Sequence, residues 1–175
     1  NNIKKYEKNK LLSLKIKSKK YSLITIHREE NSNIEILLNM INDLNSTDLN
    51  YIWPLHPKFK KIKKKLQEQS KNIKFVQPFD LITSLIIQKN AKLVITDSGG
   101  IQRESYYLGI PTLIYREETE WNNMLIKNKN ILSKKNIPII IKKLINSKQK
   151  RIKNNIVSLK IIHLINQIEK NFNSN

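Results

Sequence analysis

Short apolar runs rich in β-branched residues alternate along this chain with longer amphipathic segments. The runs predict buried strands at residues 21–26, 51–54, 73–76, 92–96 and 112–115. The longer segments predict helices at residues 34–44, about 58–70, about 80–89, 101–109, 136–147 and 156–171. Strands that alternate with helices in this way form a parallel sheet with helices on both faces. We therefore expect an α/β protein with a doubly wound sheet.

Length and composition exclude several classes of protein. With 175 residues, 39% of them hydrophobic, the chain can form one domain with a real core. It contains no cysteine, which excludes disulfides, thiolate metal sites and cysteine nucleophiles. The histidines, His27, His56 and His163, lack the spacing of metal ligands, so no metal site is predicted.

The N-terminal twenty residues differ in composition from the rest of the chain. Residues 1–20 are polar and rich in lysine, and they are interpreted as a lead-in or linker before a domain at residues 21–175. No apolar run approaches the roughly 20 residues of a membrane span, and no signal peptide is visible. The expected location is the cytoplasm. Because the first residue is asparagine rather than methionine, we expect the chain to begin inside a longer protein.

The net charge of +19 raises nucleic acid or an anionic membrane as a partner. The lysines are spread along the whole chain among many asparagines and isoleucines, a composition typical of an adenine- and thymine-rich genome. The densest run, residues 58–66, places Phe59, Ile62 and Leu66 at helical spacing between lysines, which favours a solvated helix face over contact with RNA or lipid. Aromatic residues are not interleaved with the lysines as a stacking platform requires. Neither nucleic acid nor membrane is the expected partner.

The three glycines of the chain, Gly99, Gly100 and Gly109, lie within one short stretch. There a predicted strand leads through Asp97 and Ser98, either of which can cap the next helix, into the glycine pair. Glycines let a ligand approach the main chain, and the free N–H groups and dipole of a helix start favour an anion, above all a phosphate. An ordinary capped helix that ends at Gly109 is the alternative, and the turn alone does not separate the two.

Polar and charged residues follow four of the predicted strands. They are residues 27–31, His56, residues 97–100 and residues 116–120. Singly, His27 could be a loop histidine, Glu30 a capping carboxylate and Arg116 a surface cation. Because ligands of parallel sheets bind at the carboxyl ends of the strands, we expect these residues to share one site.

Four motifs occur in order along residues 20–125. They are TIHREEN at 25–31, WPLHP at 53–57, VQPFD at 76–80 and VITDSGGIQRESYYLGIPTLIYREETEW at 94–121. Together they resemble the C-terminal half of the non-hydrolysing UDP-N-acetylglucosamine 2-epimerase family. The resemblance implies a Rossmann-like domain, one half of a glycosyltransferase-B-like pair with the active site in the cleft between the halves. The N-terminal domain is absent from this sequence, so it is an expected partner in the same or a separate chain.

The resemblance also implies residue roles. Ser98, Gly99 and Gly100 would hold the UDP diphosphate, and Glu104 would accept hydrogen bonds from both ribose hydroxyls. Main-chain groups around Gln77 to Phe79 would contact the uracil. The residues implied as catalytic are His27 and Arg28, and those implied to bind substrate are Asn31, His56, Gln77, Phe79, Ser98, Gly99, Gly100, Glu104, Arg116 and Glu120.

The implied reaction removes UDP from C1 as a proton leaves C2, and then adds UDP back to the glycal intermediate with the opposite C2 configuration. It needs an acid/base pair at C2 and stabilisation of the departing diphosphate. The family's important carboxylates for C2 belong to the absent domain, so the isolated chain should bind nucleotide weakly and not epimerise. No cofactor is implied, because the glycine turn matches neither the dinucleotide fingerprint nor the P-loop.

Other hypotheses remain open from the sequence. They are a hydrolysing relative that releases free N-acetylmannosamine, an epimerase of a related UDP-acetamido sugar, a UDP-sugar-binding module without turnover, and a nucleic-acid-binding protein. A homodimer is a further expectation, since dimers are common in the family.

Three features depart from the family pattern. Arg103 stands where relatives usually carry an acidic residue, and Trp121 follows Glu120 where many have arginine. The Gly-Asp-Gly segment expected before the last helix is replaced by Asn-Asn-Ile at 154–156. The chain is therefore interpreted as a truncated or degraded copy, or as one half of a split enzyme.

Overall fold

The computed structural model describes residues 2–125 and 129–146. Six parallel strands form one sheet in the order β3-β2-β1-β4-β5-β6. The strands are β1 (Ser22–Thr25), β2 (Tyr51–Pro54), β3 (Ile73–Val76), β4 (Val94–Thr96), β5 (Thr112–Ile114) and β6 (Asn130–Leu132). The helices are α1 (Asn2–Ser13), α2 (Ile34–Asn45), α3 (Lys63–Gln69), α4 (Leu81–Asn90), α5 (Gly99–Leu108) and α6 (Ile137–Asn146). The predicted doubly wound, Rossmann-like sheet is confirmed, and its strand order reverses between β1 and β4.

Residues next to each other in a strand face opposite sides of the sheet, and this divides the core in two. Ile24 of β1 lies beside Ile95 of β4 on the face covered by α2, α3 and α6. Leu23 lies beside Val94 on the other face, which α4 and α5 cover. Strands buried on both faces are mostly apolar, which explains why they form nearly continuous apolar runs in the sequence.

Helix α2 shows why the longer segments are helices. Leu37, Met40, Ile41 and Leu44 recur at helical spacing and are all buried against the sheet. Asn33 caps the helix, its side chain accepting the Glu35 N–H. Each fully buried leucine or isoleucine stabilises the fold by about 1.5–3 kcal/mol, so the apolar face is what holds this helix on the sheet.

The basic segment differs from its prediction as a single helix over about 58–70. A 3₁₀ turn, Pro57–Phe59, comes first, and α3 begins only at Lys63. Phe59 and Leu66 are both buried in the larger apolar cluster, so the predicted apolar positions are right although the helix is shorter. The imidazole of His56 accepts the Lys58 N–H and stabilises the separate first turn.

The lead-in predicted at residues 1–20 contains helix α1, which was not expected from its polar composition. Leu11, Leu14 and Ile16 pack against the smaller apolar cluster. The carboxylate of Glu7 pairs with Lys89 at the end of α4. These apolar contacts and this ion pair help to hold a segment in which most residues are polar.

Two other elements need comment. Strand β6 was not predicted, because three residues carry little periodicity and its pairing with β5 supplies the structure. The predicted helix at 156–171 lies outside the described residues. Within the part of the chain that the structure describes, no helix is both long and apolar enough to cross a membrane.

Candidate functional site

The buried carboxylate of Asp97 organises the sheet edge where the strand order reverses. Asp97 follows β4, and it accepts the main-chain N–H of His27 at 3.1 Å and of Arg28 at 2.9 Å, both from the loop after β1. The side-chain amide of Asn31 donates to the same carboxylate at 3.0 Å and to the carbonyl oxygen of Tyr115 at 3.3 Å. Asp97 thereby links the ends of β1, β4 and β5 into one platform.

Helix α5 begins on this platform. Ser98, one of the two predicted caps, is the N-cap, and its hydroxyl accepts the N–H of Ile101 at 3.4 Å. The other N–H groups of a first turn have no acceptor within their helix. Gly100 is exposed, and a Cβ built on it would meet nothing nearer than the Ser98 hydroxyl at 3.7 Å, so its main chain is open to a ligand. The helix ends at Gly109 in the left-handed conformation, with φ 69°.

Two arginines and one glutamate lie beside this helix start. Arg116 is 7% exposed and donates from Nη1 to Oε2 of Glu120 at 2.5 Å. Nη2 of Arg28 lies 3.9 Å from Oε1 of Glu120. Hydrogen bonds from its own backbone and from Arg116 hold the pKa of the Glu120 carboxyl below its usual value. The glutamate is therefore ionised and bridges two cations.

The two histidines expected at this edge lie close together. The ring centroids of His27 and His56 are 6.4 Å apart, with 26° between the ring planes. Lys58 reaches across to the main-chain carbonyl of His27 and to the carboxylate of Glu29. The edge thus presents two exposed imidazoles and several cations, which suits a strongly anionic ligand.

Glu104 lies further along α5, half-buried between α5 and α4. Its Oε2 accepts a hydrogen bond from the side-chain amide of Gln88 at 2.6 Å. Burial raises the pKa of the Glu104 carboxyl, although the Gln88 bond and nearby Arg103 oppose the shift. Because Gln88 binds one oxygen, the other remains available to accept hydrogen bonds from a ligand.

Three predicted site residues remain: Gln77, Phe79 and Asn31. Gln77 is exposed in the loop between β3 and α4, and Phe79 packs against the smaller apolar cluster. They belong to the same sheet edge because they follow the carboxyl end of β3. Asn31 is fully buried; its Nδ2 donates to Asp97 and Tyr115, whereas its Oδ1 has no hydrogen-bond partner among the described residues. Asn31 thus lies beneath the edge, and its implied role in substrate binding stays a prediction.

Sequence reasoning missed the clamp that holds residues 119–121 on α5. Buried Gln102 accepts a hydrogen bond from the Thr119 hydroxyl at 2.7 Å and donates to the main-chain oxygen of Trp121 at 3.5 Å. The guanidinium of Arg103 lies 4.4 Å from the centroid of a Trp121 ring, in a cation–π contact. Arg103 and Trp121 each depart from the family pattern, and that shared departure was the available signal.

A family model described as UDP-N-acetylglucosamine 2-epimerase matches residues 1–160. The chain belongs to this epimerase family. The resemblance inferred from the four motifs is thereby confirmed. The match begins within the predicted lead-in, so family similarity includes helix α1.

Two relatives of this epimerase family member come from Methanococcus maripaludis. A UDP-N-acetylglucosamine 2-epimerase homolog is 39% identical over 125 residues, which cover 68% of this chain and 35% of the relative. A UDP-N-acetylglucosamine 2-epimerase is 38% identical over 149 residues, covering 75% of this chain and 40% of the relative. The chain therefore spans well under half of the length of these relatives.

The fold matches a solved member of the family. The crystal structure of Methanocaldococcus jannaschii UDP-GlcNAc 2-epimerase in complex with UDP-GlcNAc and UDP superposes with a TM-score of 0.71 at 27% identity. The superposition covers 91% of this chain and 48% of that enzyme. The epimerase domain described above thus corresponds to about half of the solved protein, as expected for one half of a two-domain fold.

Proposed function

We propose that this chain is the UDP-binding half of a UDP-N-acetylglucosamine 2-epimerase. In the complete enzyme it would hold the UDP that leaves C1 and returns after the configuration at C2 has changed. The observation that carries this proposal is the open start of α5 at the reversal point of the sheet, beside Arg28 and Arg116. Membership of the family supports the choice of UDP among diphosphates.

The proposed contacts follow from the geometry of α5. Ser98, Gly99 and Gly100 would bind the diphosphate through main-chain N–H groups and the serine hydroxyl. Glu104, four residues beyond Gly100, would receive the ribose hydroxyls on the oxygen that Gln88 leaves open. Gln77 and Phe79, at the carboxyl end of β3, would approach the uracil.

The cations of the sheet edge would stabilise the departing diphosphate. Arg28, Arg116, His27 and His56 can donate hydrogen bonds to oxygens on which negative charge develops. The main chains of His27 and Arg28 are held by the Asp97 carboxylate, so their positions are set before the ligand arrives. Such preorganisation is the main source of electrostatic catalysis.

The bases that exchange the C2 proton would come from an N-terminal half, in the same or a separate chain. This division is supported by the coverage of about half of the solved relative. We also propose the domain boundaries: the UDP-binding domain comprises residues 21–175, with helix α1 packed on its surface. The chain by itself is expected to bind UDP without turnover.

A binding module without turnover is the second candidate, and the same partial coverage favours it. The two are separated by adding an N-terminal half taken from the Methanococcus maripaludis relative and measuring epimerisation of UDP-N-acetylglucosamine. Restored activity supports the enzyme, whereas UDP binding without activity in that mixture supports the module.

The primary test is calorimetric titration of the chain with UDP and UDP-N-acetylglucosamine at moderate salt, with a control polyanion. Glu104→Gln is the diagnostic variant, and Glu118→Gln is its matched control because Glu118 is an exposed glutamate whose change alters the net charge equally. We expect saturable UDP binding that Glu104→Gln weakens at least about tenfold, or about 1.4 kcal/mol, while Glu118→Gln leaves it nearly unchanged. Equal binding of UDP and the polyanion would contradict the proposal.

A further inference from the structure

The Glu120 carboxylate lies at the proposed diphosphate site. One oxygen bonds to Arg116 at 2.5 Å, and the other lies 3.9 Å from Arg28. The carboxylate also lies against the first residue of α5, because a Cβ built on Gly99 would come within 2.1 Å of Glu120 Oε1. A carboxylate beside a helix start and two guanidinium groups is in the electrostatic setting that suits a phosphate.

The main chain that carries Glu120 is held on both sides. Thr119 donates to buried Gln102, and the Trp121 N–H donates to the Thr119 hydroxyl at 3.2 Å. Arg103 covers a ring of Trp121. The backbone of residues 119–121 is therefore tethered to α5, and Glu120 is kept at a high effective concentration beside its two cations.

The two partners of the ion pair differ in freedom to move. The Arg116 side chain is 8% exposed, whereas that of Glu120 is 46% exposed. In the described part of the chain Nε of Arg116 is buried and has no hydrogen-bond partner, so Glu120 supplies the main compensation for this guanidinium. A buried guanidinium without a counter-charge is strongly unfavourable. The glutamate side chain is exposed enough to rotate into solvent and leave the guanidinium to another anion.

We propose that Glu120 is a tethered competitor of the nucleotide: it neutralises Arg116 and Arg28 in the free protein and is displaced by the diphosphate. This inference rests on the proposed UDP site and assigns Glu120 an effect opposite to that of a substrate-binding residue. Removing its charge should strengthen diphosphate binding, whereas removing a substrate contact would weaken it.

The test compares Glu120→Gln with Glu118→Gln by calorimetry, using UDP, inorganic pyrophosphate and uridine as probes. Glu120→Gln should tighten UDP and pyrophosphate binding by about 5- to 10-fold at moderate salt, as expected for removal of one partly screened like charge. Uridine lacks the diphosphate, so its affinity should change less than about twofold in either variant. Glu118→Gln should also change UDP affinity less than about twofold, because the solvent around this exposed glutamate screens its charge.

A second variant guards against loss of structure. Glu120→Asp keeps the charge but withdraws it by one methylene, and it should tighten UDP binding less than Glu120→Gln does. Circular dichroism of both variants checks the fold. In a Trp53→Phe background, Trp121 is the remaining tryptophan, and its fluorescence should change when added UDP displaces the neighbouring Glu120 side chain.

The outcomes separate this inference from the proposed function. If UDP binds, Glu104→Gln weakens binding, and Glu120→Gln also weakens it or matches Glu118→Gln, the competitor is refuted and the UDP site stands. If neither the wild-type protein nor Glu120→Gln binds UDP better than the polyanion, both proposals fail. If Glu120→Gln binds UDP and pyrophosphate more tightly than the wild-type protein, and Glu118→Gln does not, the role of Glu120 as a competitor is supported.

Discussion

Gly99→Ala tests the close contact between the Glu120 carboxylate and the first residue of α5. The added Cβ would lie 2.1 Å from Oε1 of Glu120, 3.0 Å from Nε1 of Trp121 and 3.1 Å from Cδ of Glu120. The first contact cannot exist, so the glutamate must move. Trp121 is restrained by Gln102 and Arg103, so it is the carboxylate that should leave.

The expected loss of stability in Gly99→Ala comes from the hydrogen bond between Glu120 and Arg116. Its hydrogen bond to the buried guanidinium of Arg116 is charge-assisted, and losing such a bond costs about 1.5–3 kcal/mol. Alanine is favoured over glycine in a helix by about 0.5–1 kcal/mol, which offsets part of the loss. Gly99→Ala should therefore lower the free energy of unfolding by about 1 kcal/mol.

Gly100→Ala is the matched control, because a Cβ there meets only the Ser98 hydroxyl at 3.7 Å. Its free energy of unfolding should rise by up to about 1 kcal/mol because alanine is favoured over glycine in a helix, and the Glu120–Arg116 hydrogen bond is kept. The two variants should then differ by about 2 kcal/mol, or roughly 4–8 °C in Tm for a chain of this size. Urea and thermal unfolding followed by circular dichroism measure both quantities.

A double-mutant cycle with Glu120→Ala tests whether the stability loss of Gly99→Ala comes from Glu120. Once the glutamate side chain is gone, Gly99→Ala should lose most of its penalty, giving a coupling energy of about 1–2 kcal/mol. The reasoning is refuted if Gly99→Ala is as stable as Gly100→Ala, or if its penalty is unchanged in the Glu120→Ala background.

Two further predictions concern carboxylates of the site. Asp97→Asn would present an amide N–H₂ or a single neutral oxygen to the N–H donors of His27 and Arg28. We therefore expect the free energy of unfolding, measured in urea, to fall by about 3 kcal/mol. Asp48→Asn changes an exposed aspartate and is the control, which should leave the stability unchanged. Because burial raises the pKa of Glu104 in the folded state, the native protein binds this proton more readily than the unfolded chain, and stability should fall as pH rises through the interval between the two pKa values. The free energy of unfolding of Glu104→Gln, measured at several pH values, should lack that contribution; an identical pH dependence in both proteins would contradict it.

The sequence allowed most of the fold to be predicted because its signals are local. Apolar runs located five of the six strands, and helical spacing in residues 34–44 located α2 with its buried face. Helix α1 was missed because its contacts with the sheet domain come from a few residues, such as Leu11 and Leu14, within a polar segment. Strand β6 was missed because three residues acquire strand structure only by pairing with β5.

The candidate site could be predicted in outline for a similar reason. The carboxyl ends of parallel strands meet at one edge, so His27, His56 and Ser98 could be placed together without coordinates. The hydrogen-bond partners of Asn31 and Glu120 could not be inferred. Asn31 is buried beneath the site, and Glu120 pairs with the cations that a ligand would need.

The sequence by itself determined the class of fold, the capped glycine turn at the start of α5 and the family, because strand runs, caps and motifs depend on neighbouring residues. The tertiary structure alone decided which side chains compensate one another. The hydrogen bond from the His27 N–H to Asp97 joins residues 70 apart in sequence, and four strands lie in sequence between Arg28 and Glu120. Charges and hydrogen bonds act over a few ångströms in space, so such pairs exist only after the sheet has brought distant segments together.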